Sequence, residues 1–245
     1  MDSAPETATP PNSSKRRNYR FGIIVGIIAI IGVVVTITIP VLDDKGCRCG
    51  TPRQIDASNL RQIGQSILVE LNEHPETIAA ANPRDIHEIA VLLARENLLT
   101  HATTWFSGGG IYSGADEIVP VNEWPKTIVD PSPSDGIAPI NPQFEVTPLA
   151  FAVAIFPPGT KLDDLHDSTP LAWTRGLQSN GKWSKAIGTY GDWGGFVYFV
   201  GNNVEKYEGG IKGRLVKFGT NEPTSNILEA LPPGSRTIEF TPTKK

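Results

Sequence analysis

A chain of 245 residues with a formal charge of −4 and a pI near 5.6 lacks the dense basic patch that grips a polyphosphate. Nucleic acid is thereby excluded as a partner. With 24 Gly and 21 Pro, against a usual combined share of about 12%, the chain is predicted to be rich in turns and short strands.

Residues 1–20 are polar, with prolines and many Ser, Thr and Asn, and cannot bury enough apolar surface to order themselves. They read as a disordered cytoplasmic tail. Phe21–Leu42 is then a run of 22 residues without a charge. At about 1.5 Å per residue it spans a hydrocarbon core about 30 Å thick. Lipid leaves backbone groups no partner outside the segment, which predicts a helix despite the Ile, Val and Thr content. A cleaved secretory signal fits less well: its apolar region runs about 7–15 residues and ends in small residues, whereas this run ends Pro40-Val41-Leu42-Asp43-Asp44.

Lys15, Arg16, Arg17 and Arg20 precede the span, against the more scattered Lys45, Arg48 and Arg53 after it. Basic residues resist translocation, so the N-terminus is expected in the cytoplasm and residues 43–245 outside the membrane. That remainder is long enough to bury a core as one domain.

Cys47 and Cys49 lie in GCRCG just beyond the span. They could open a metal site, but no second pair of ligands accompanies them. A tight bond between them, a bond to another chain, or two small residues in a turn all stay open.

Arg53–Glu73 reads as an amphipathic helix, with Ile55, Leu60, Ile63, Ile67, Leu68 and Leu71 on one side and Arg61, Gln62, Gln65 and Glu70 on the other. A second helix is expected at Arg84–Leu98, capped by Asn82 with Pro83 in its first position. Ile86, Ile89, Ala90, Leu93 and Ala94 form its stripe. Residues 107–146 have little periodicity and are expected to wrap the surface.

Short β-prone runs follow the helices: Thr103–Phe106, Leu149–Phe156, Pro170–Arg175, Phe196–Val200, Val204–Tyr207 and Ile211–Phe218. Gly201-Asn202-Asn203 between the fourth and fifth has hairpin chemistry, because Gly and Asn tolerate positive φ. It predicts an antiparallel pair whose first strand is buried on both faces. Ser225–Leu231 reads as a short helix and Arg236–Thr241 as an edge strand. Helices first and sheet after define an α+β class, with amphipathic helices packed on an antiparallel sheet.

Four blocks carry a resemblance. Ala29–Pro40, AIIGVVVTITIP, resembles the anchor helix of type IV pilins and type II secretion pseudopilins, with its AIIG segment and a proline eight positions after the glycine. Ser58–Ile67, SNLRQIGQSI, is similar to the N-N-L-K-Q-I-G-x-A-L segment of prepilin-like proteins of environmental bacteria. Thr169–Arg175 resembles the strand before those proteins' closing hairpin, and Tyr190–Glu205 resembles their H-x9-D-G hairpin. The blocks cover about half of the chain in the family's order.

The resemblance implies a pilin-like domain on a single span in a bacterial inner membrane, with the C-terminal domain periplasmic. It also implies a non-enzymatic role in a type II secretion or pilus-type system, with the lipid bilayer (through residues 21–42) and other pseudopilins or envelope proteins as partners.

The chain departs from the family at the processing site. Aligned on Gly32 and Pro40, Tyr19 stands where the mature pilin begins, Asn18 replaces the glycine that prepilin peptidase requires, and Ile23 replaces the usual glutamate. In the hairpin, Tyr190 or Gly191 takes the histidine's place, and Gly201-Asn202 takes that of Asp-Gly.

Reactive chemistry is sparse. Asp163, Asp164, His166 and Asp167 gather oxygen ligands of the kind Ca²⁺ takes, but without EF-hand spacing, and read as a solvated acidic turn. Ser179-Asn180-Gly181-Lys182 matches S-x-x-K, yet Asn-Gly makes a turn where that motif needs a helix. Gly108–Gly114 is glycine-rich without the spacing that cradles phosphate. His74, His87, His101 and His166 lack ligand spacing. Trp105, Trp173, Trp183 and Trp193, with Tyr190, Tyr198 and Phe199, read as core.

No catalytic, cofactor-binding or metal-ligating residue is assigned, and no cofactor is expected. The competing reading is an anchored extracytoplasmic protein whose aromatic loops bind a polysaccharide or another envelope protein.

Overall fold

The computed structural model describes residues 51–107, 123–130 and 138–240. The tail at 1–20, the apolar run at 21–42, Cys47, Cys49 and Gly108–Gly114 lie outside the described residues. Among the described residues no helix is long and apolar enough to cross a membrane.

The first helix, α1, is Thr51–Glu73. Leu60, Ile63, Ile67 and Leu71 recur every three or four positions and are all buried, so one stripe drives the packing. Pro75 stops the helix, since proline can neither donate to a preceding turn nor fit against it. Two of the expected positions exchange roles: Ile55 is 46% exposed, whereas Glu70 is 2% exposed.

A short helix, α2 (Thr77–Ala81), ends at Asn82, whose φ of 46° is left-handed and whose N–H reaches the carbonyl of Ala79. Asparagine is one of the few residues that tolerate that conformation. Asn82 therefore closes one helix rather than opening the next. The following helix, α3, is Ile86–Arg95, and its cap is Asp85, whose carboxylate accepts the His87 N–H at 2.7 Å. Glu88 in the first turn accepts the N–H of Arg84.

The expected strand at Thr103–Phe106 is instead a 3₁₀ turn, Ala102–Trp105. Its side chains Ala102, Thr104 and Trp105 and the following Phe106 are all buried, and burial of both sides of a single turn overrides β propensity. Of the segment expected on the surface, Ile128 and Phe144 are fully buried. Phe144 sits in a one-turn helix, α4 (Pro142–Val146), capped by Asn141.

Five strands make the main sheet: β1 (Phe151–Ile155), β2 (Pro170–Thr174), β3 (Gly194–Phe199), β4 (Val204–Glu208) and β7 (Arg236–Glu239). Their order is β4-β3-β2-β1-β7 with every pair antiparallel. The chain is thus α+β, helices first and an antiparallel sheet after.

Strands β1, β2 and β3 are buried at every residue. The β3–β4 hairpin turns through Asn202, whose φ is 62°. Edge strand β4 carries Glu205, Lys206 and Glu208, charges that discourage pairing with another sheet. The run Ile211–Phe218 yields only a two-residue strand, β5 (Leu215–Val216), paired with β6 (Pro223–Thr224). Positive φ at Lys212 and Gly213 breaks the rest. Ser225–Leu231 narrows to a 3₁₀ turn at Ile227–Ala230.

Helix α1 lies along β2 and β3. The backbone of Gly64 rests on the ring of Tyr198: a Cβ there would sit 2.1 Å from the ring. Tyr198 is fully buried, and its hydroxyl donates to Asn202 at 3.1 Å, where the Gln65 amide also donates. The ring cannot swing away without breaking that bond. Alanine normally gains about 1 kcal/mol over glycine inside a helix, whereas overpacking a core costs about 1–3 kcal/mol. Gly64→Ala is therefore expected to destabilise the protein, by about 1 kcal/mol net in urea melts. Equal or higher stability in the variant would show that α1 does not rest on Tyr198.

Candidate functional site

The acidic turn begins with a 3₁₀ turn, Leu162–Asp164, pegged by buried Leu165. Asp163, Asp164, His166 and Asp167 are all exposed. Backbone bonds from Val200 to Thr169 and from Gly201 to Asp167 tie the turn to the β3–β4 hairpin. Beside it lies a cleft of about 430 Å³ bordered by Asp163, Asp164, His166, Lys217, Thr220 and Asn221. Among the described residues no group of three or more His, Cys, Asp or Glu side chains is placed to share a metal ion.

His166 and Ser168 form a pair, with Nδ1 2.8 Å from Oγ. The Ser168 backbone N–H also donates to Nδ1, at 3.2 Å. That nitrogen therefore closes a local turn, and among the described residues no third group is bonded to Nε2 to orient the ring. A working nucleophile needs a base held by such a third group.

His87 is the histidine that spacing failed to single out, and it is 6% exposed. Its Nδ1 lies 2.5 Å from Asp85 Oδ1 and its Nε2 lies 2.9 Å from the Thr147 carbonyl. Phe144 and Phe240 meet the ring edge-on at 5.3 and 5.7 Å. Both nitrogens face oxygen atoms, so the ring is held from two sides.

Burial raises the Asp85 carboxyl, but the bonds from the His87 ring and backbone N–H, with the ring's charge, outweigh it and hold the group below the usual range. A cavity of about 680 Å³ opens there, bordered by Thr77, Asp85, His87, Glu88, Arg95 and Glu145. The order Asp85-Ile86-His87 at a helix start was the available signal, since a cap carboxylate lies within reach of the residue two positions on.

The other histidines do less. His74 stands 3.7 Å from Glu70 and is largely exposed. His101 is exposed, and its backbone bridges to Thr127. Ser179–Lys182 is a tight turn, with Gly181 N–H on the Gln178 carbonyl.

Of the tryptophans, Trp105, Trp173 and Trp183 are buried as expected, whereas Trp193 is 73% exposed. Trp183 donates to the Thr174 carbonyl at 2.9 Å and stacks on Tyr207. Burial pushes the Tyr198 hydroxyl up to about 12, against the opposing charge of Arg61.

Two further buried polar contacts have no local sequence signal. The Asp56 carboxylate, fully buried, accepts from Ser107 Oγ at 2.6 Å and from the Tyr190 hydroxyl. Buried Arg175 donates to the Ile187 carbonyl at 2.8 Å. Near Arg175, Glu239 accepts the Gly176 N–H at 2.9 Å. Burial raises the Glu239 carboxyl, and the Gly176 bond and the Arg175 charge pull it partly back.

No family model matches this chain, and neither curated proteins nor solved structures give a match.

These side chains fasten elements to one another. Asp85 is one whose effect pH should reveal. A carboxylate with a lowered pKa stabilises the fold above its unfolded value of about 3.9 and loses that contribution as pH falls through the folded value. Asp85→Ala is expected to cost about 1 kcal/mol near neutrality, the usual worth of a helix cap. In urea melts the gap between variant and wild type should close as pH falls below the ordinary carboxylate range. A gap that is constant with pH would contradict the charged cap.

Proposed function

We propose that the protein is a membrane-anchored, non-enzymatic component with a pilin-like domain, acting in a type II secretion or pilus-type assembly in a bacterial inner membrane. Residues 21–42 form the single span, the N-terminus is cytoplasmic and the domain periplasmic. Its partners are the bilayer and other pseudopilin-like subunits.

One observation carries this reading. Two of the segments that carry the resemblance, Ser58–Ile67 and Tyr190–Glu205, meet in space: Gly64 rests on Tyr198 and Gln65 bonds to Asn202. Residues that resemble a family in separate blocks thus form one interface.

The processing site sets the protein apart from cleaved pilins. Asn18 stands where the peptidase needs glycine, and Ile23 removes the carboxylate that would meet a neighbouring subunit's free amine. An unpaired charge inside lipid is expensive, so losing both members of the pair is consistent where losing one would not be.

In the native membrane the protein is expected to resist carbonate extraction and to keep the Asn18–Tyr19 bond intact in peptide maps. Cross-linking there should join it to other singly anchored subunits. Release by carbonate would refute the anchor, a terminus at Tyr19 would make it a processed pseudopilin, and cross-links confined to soluble proteins would refute the assembly role.

A further inference from the structure

Trp193 closes a 3₁₀ turn, Gly191–Trp193, that leads into β3. Its side chain is 73% exposed, although its backbone is fixed: its carbonyl accepts the Gly209 N–H at 3.0 Å, and its own N–H reaches the Tyr190 carbonyl at 3.4 Å. The ring is therefore displayed on a firm support, rather than on a loose loop. A single exposed apolar side chain needs no explanation in itself. Its position does.

Three contacts orient β3 against α1. Tyr190, just before β3, bonds to Asp56 in the second turn of α1. Tyr198, late in β3, lies on Gly64, and Asn202 beyond it bonds to Gln65. Strand and helix therefore run the same way, and Trp193 falls at the end where α1 begins. Ile55, 46% exposed, lies on α1 at that same end. Exposed charges beside the turn include Lys185, Asp192, Lys206 and Glu208.

Eight residues, 43–50, separate Leu42 from Thr51. Even fully extended they reach only about 28 Å. If residues 21–42 span the membrane, the start of α1 stays within that distance of the lipid surface. This end is then within reach of the headgroups, where tryptophan sits best: its ring is apolar and its N–H finds a partner at the boundary.

We propose that Trp193, with Ile55, is a second contact with the bilayer, inserting at headgroup level and fixing how the domain stands on its membrane. This rests on the anchored reading of residues 21–42. Because the span already holds the domain at the surface, a weak side-chain contact suffices. A sugar is a poorer occupant. The hollow bounded by Tyr190, Trp193, Phe196 and Tyr207 holds only about 10 Å³, barely the space of one water.

The chain is well suited to the test, because its five tryptophans are Trp105, Trp124, Trp173, Trp183 and Trp193, with none in the apolar run. Quenching of tryptophan by lipid therefore reports on the domain alone. The full chain is reconstituted in phosphatidylcholine vesicles with and without bromine on the upper acyl carbons, beside Trp193→Phe.

Both proteins should float with the vesicles. The emission that Trp193→Phe removes should fall roughly twofold in brominated lipid, as expected for a ring at the interface, while the remaining emission is unchanged. Flotation with no Trp193-dependent quenching overturns the contact and leaves the anchor standing. Failure to float overturns both. Shielding of Trp193 from acrylamide that rises with protein density, without lipid quenching, assigns the face to a second copy and overturns the proposal.

Discussion

The fold depends on one close approach, the backbone of α1 at Gly64 against the ring of Tyr198. It sets which side of β3 faces the helix, and alternation along the strand sets the rest. Residues paired across neighbouring strands share a face, so Tyr198, Ala172, Val153 and Ile238 form one row beneath the helices. Val197, Trp173, Ala152 and Glu239 form the row on the opposite face. Alanine beside tyrosine in one row, and beside tryptophan in the other, lets large side chains lie across small neighbours without a void.

The second face is closed by a similar device. Gly195 pairs with Tyr207, and Trp183 lies over both: a Cβ on Gly195 would be 2.5 Å from the Trp183 ring and 2.0 Å from Thr174 Oγ1. Trp183 also donates to the Thr174 carbonyl, so the ring that covers the sheet satisfies its own polar atom there. Two glycines, one on the helix and one on a strand, thus admit the two aromatic rings that seal the core. This explains why β3 is buried on both faces while lying only one strand from the edge.

Much of this was legible where the physics is local. Alternation and turn residues located β1, β2, β3 and the hairpin at Asn202 to within about two residues, and the apolar stripe located α1. The misreadings have a common cause. Ile55 and Glu70 sit at positions where helical period alone assigns a side, but their sides depend on what lies opposite. Asn82 and Asp85 are both good cap residues, and only the backbone decided which one opens α3.

Thr103–Phe106 had strand-like composition, but the turn buries its side chains in the surrounding core. The buried contacts of Asp56 with Ser107 and Tyr190 join residues 51 and 134 positions apart, which no window of sequence can reveal. Trp193 was read as core with its neighbours because composition marks a residue type, not the direction in which a turn points it.

Register along α1 follows from these contacts taken together. A slide of one helical turn, about 5.4 Å, would replace Gly64 over Tyr198 with Leu60 or Leu68. Either leucine carries a side chain where the structure leaves no room for a single carbon. The same slide would take the Asp56 carboxylate away from the hydroxyls of Ser107 and Tyr190, and pulling a buried carboxylate from hydrogen-bond donors is strongly destabilising. The glycine therefore sets how close the helix comes, and the carboxylate sets where along the sheet it stops. Hydrophobic burial alone would supply neither, because the stripe of Leu60, Ile63, Ile67 and Leu71 repeats at nearly every turn and fits almost as well one turn away.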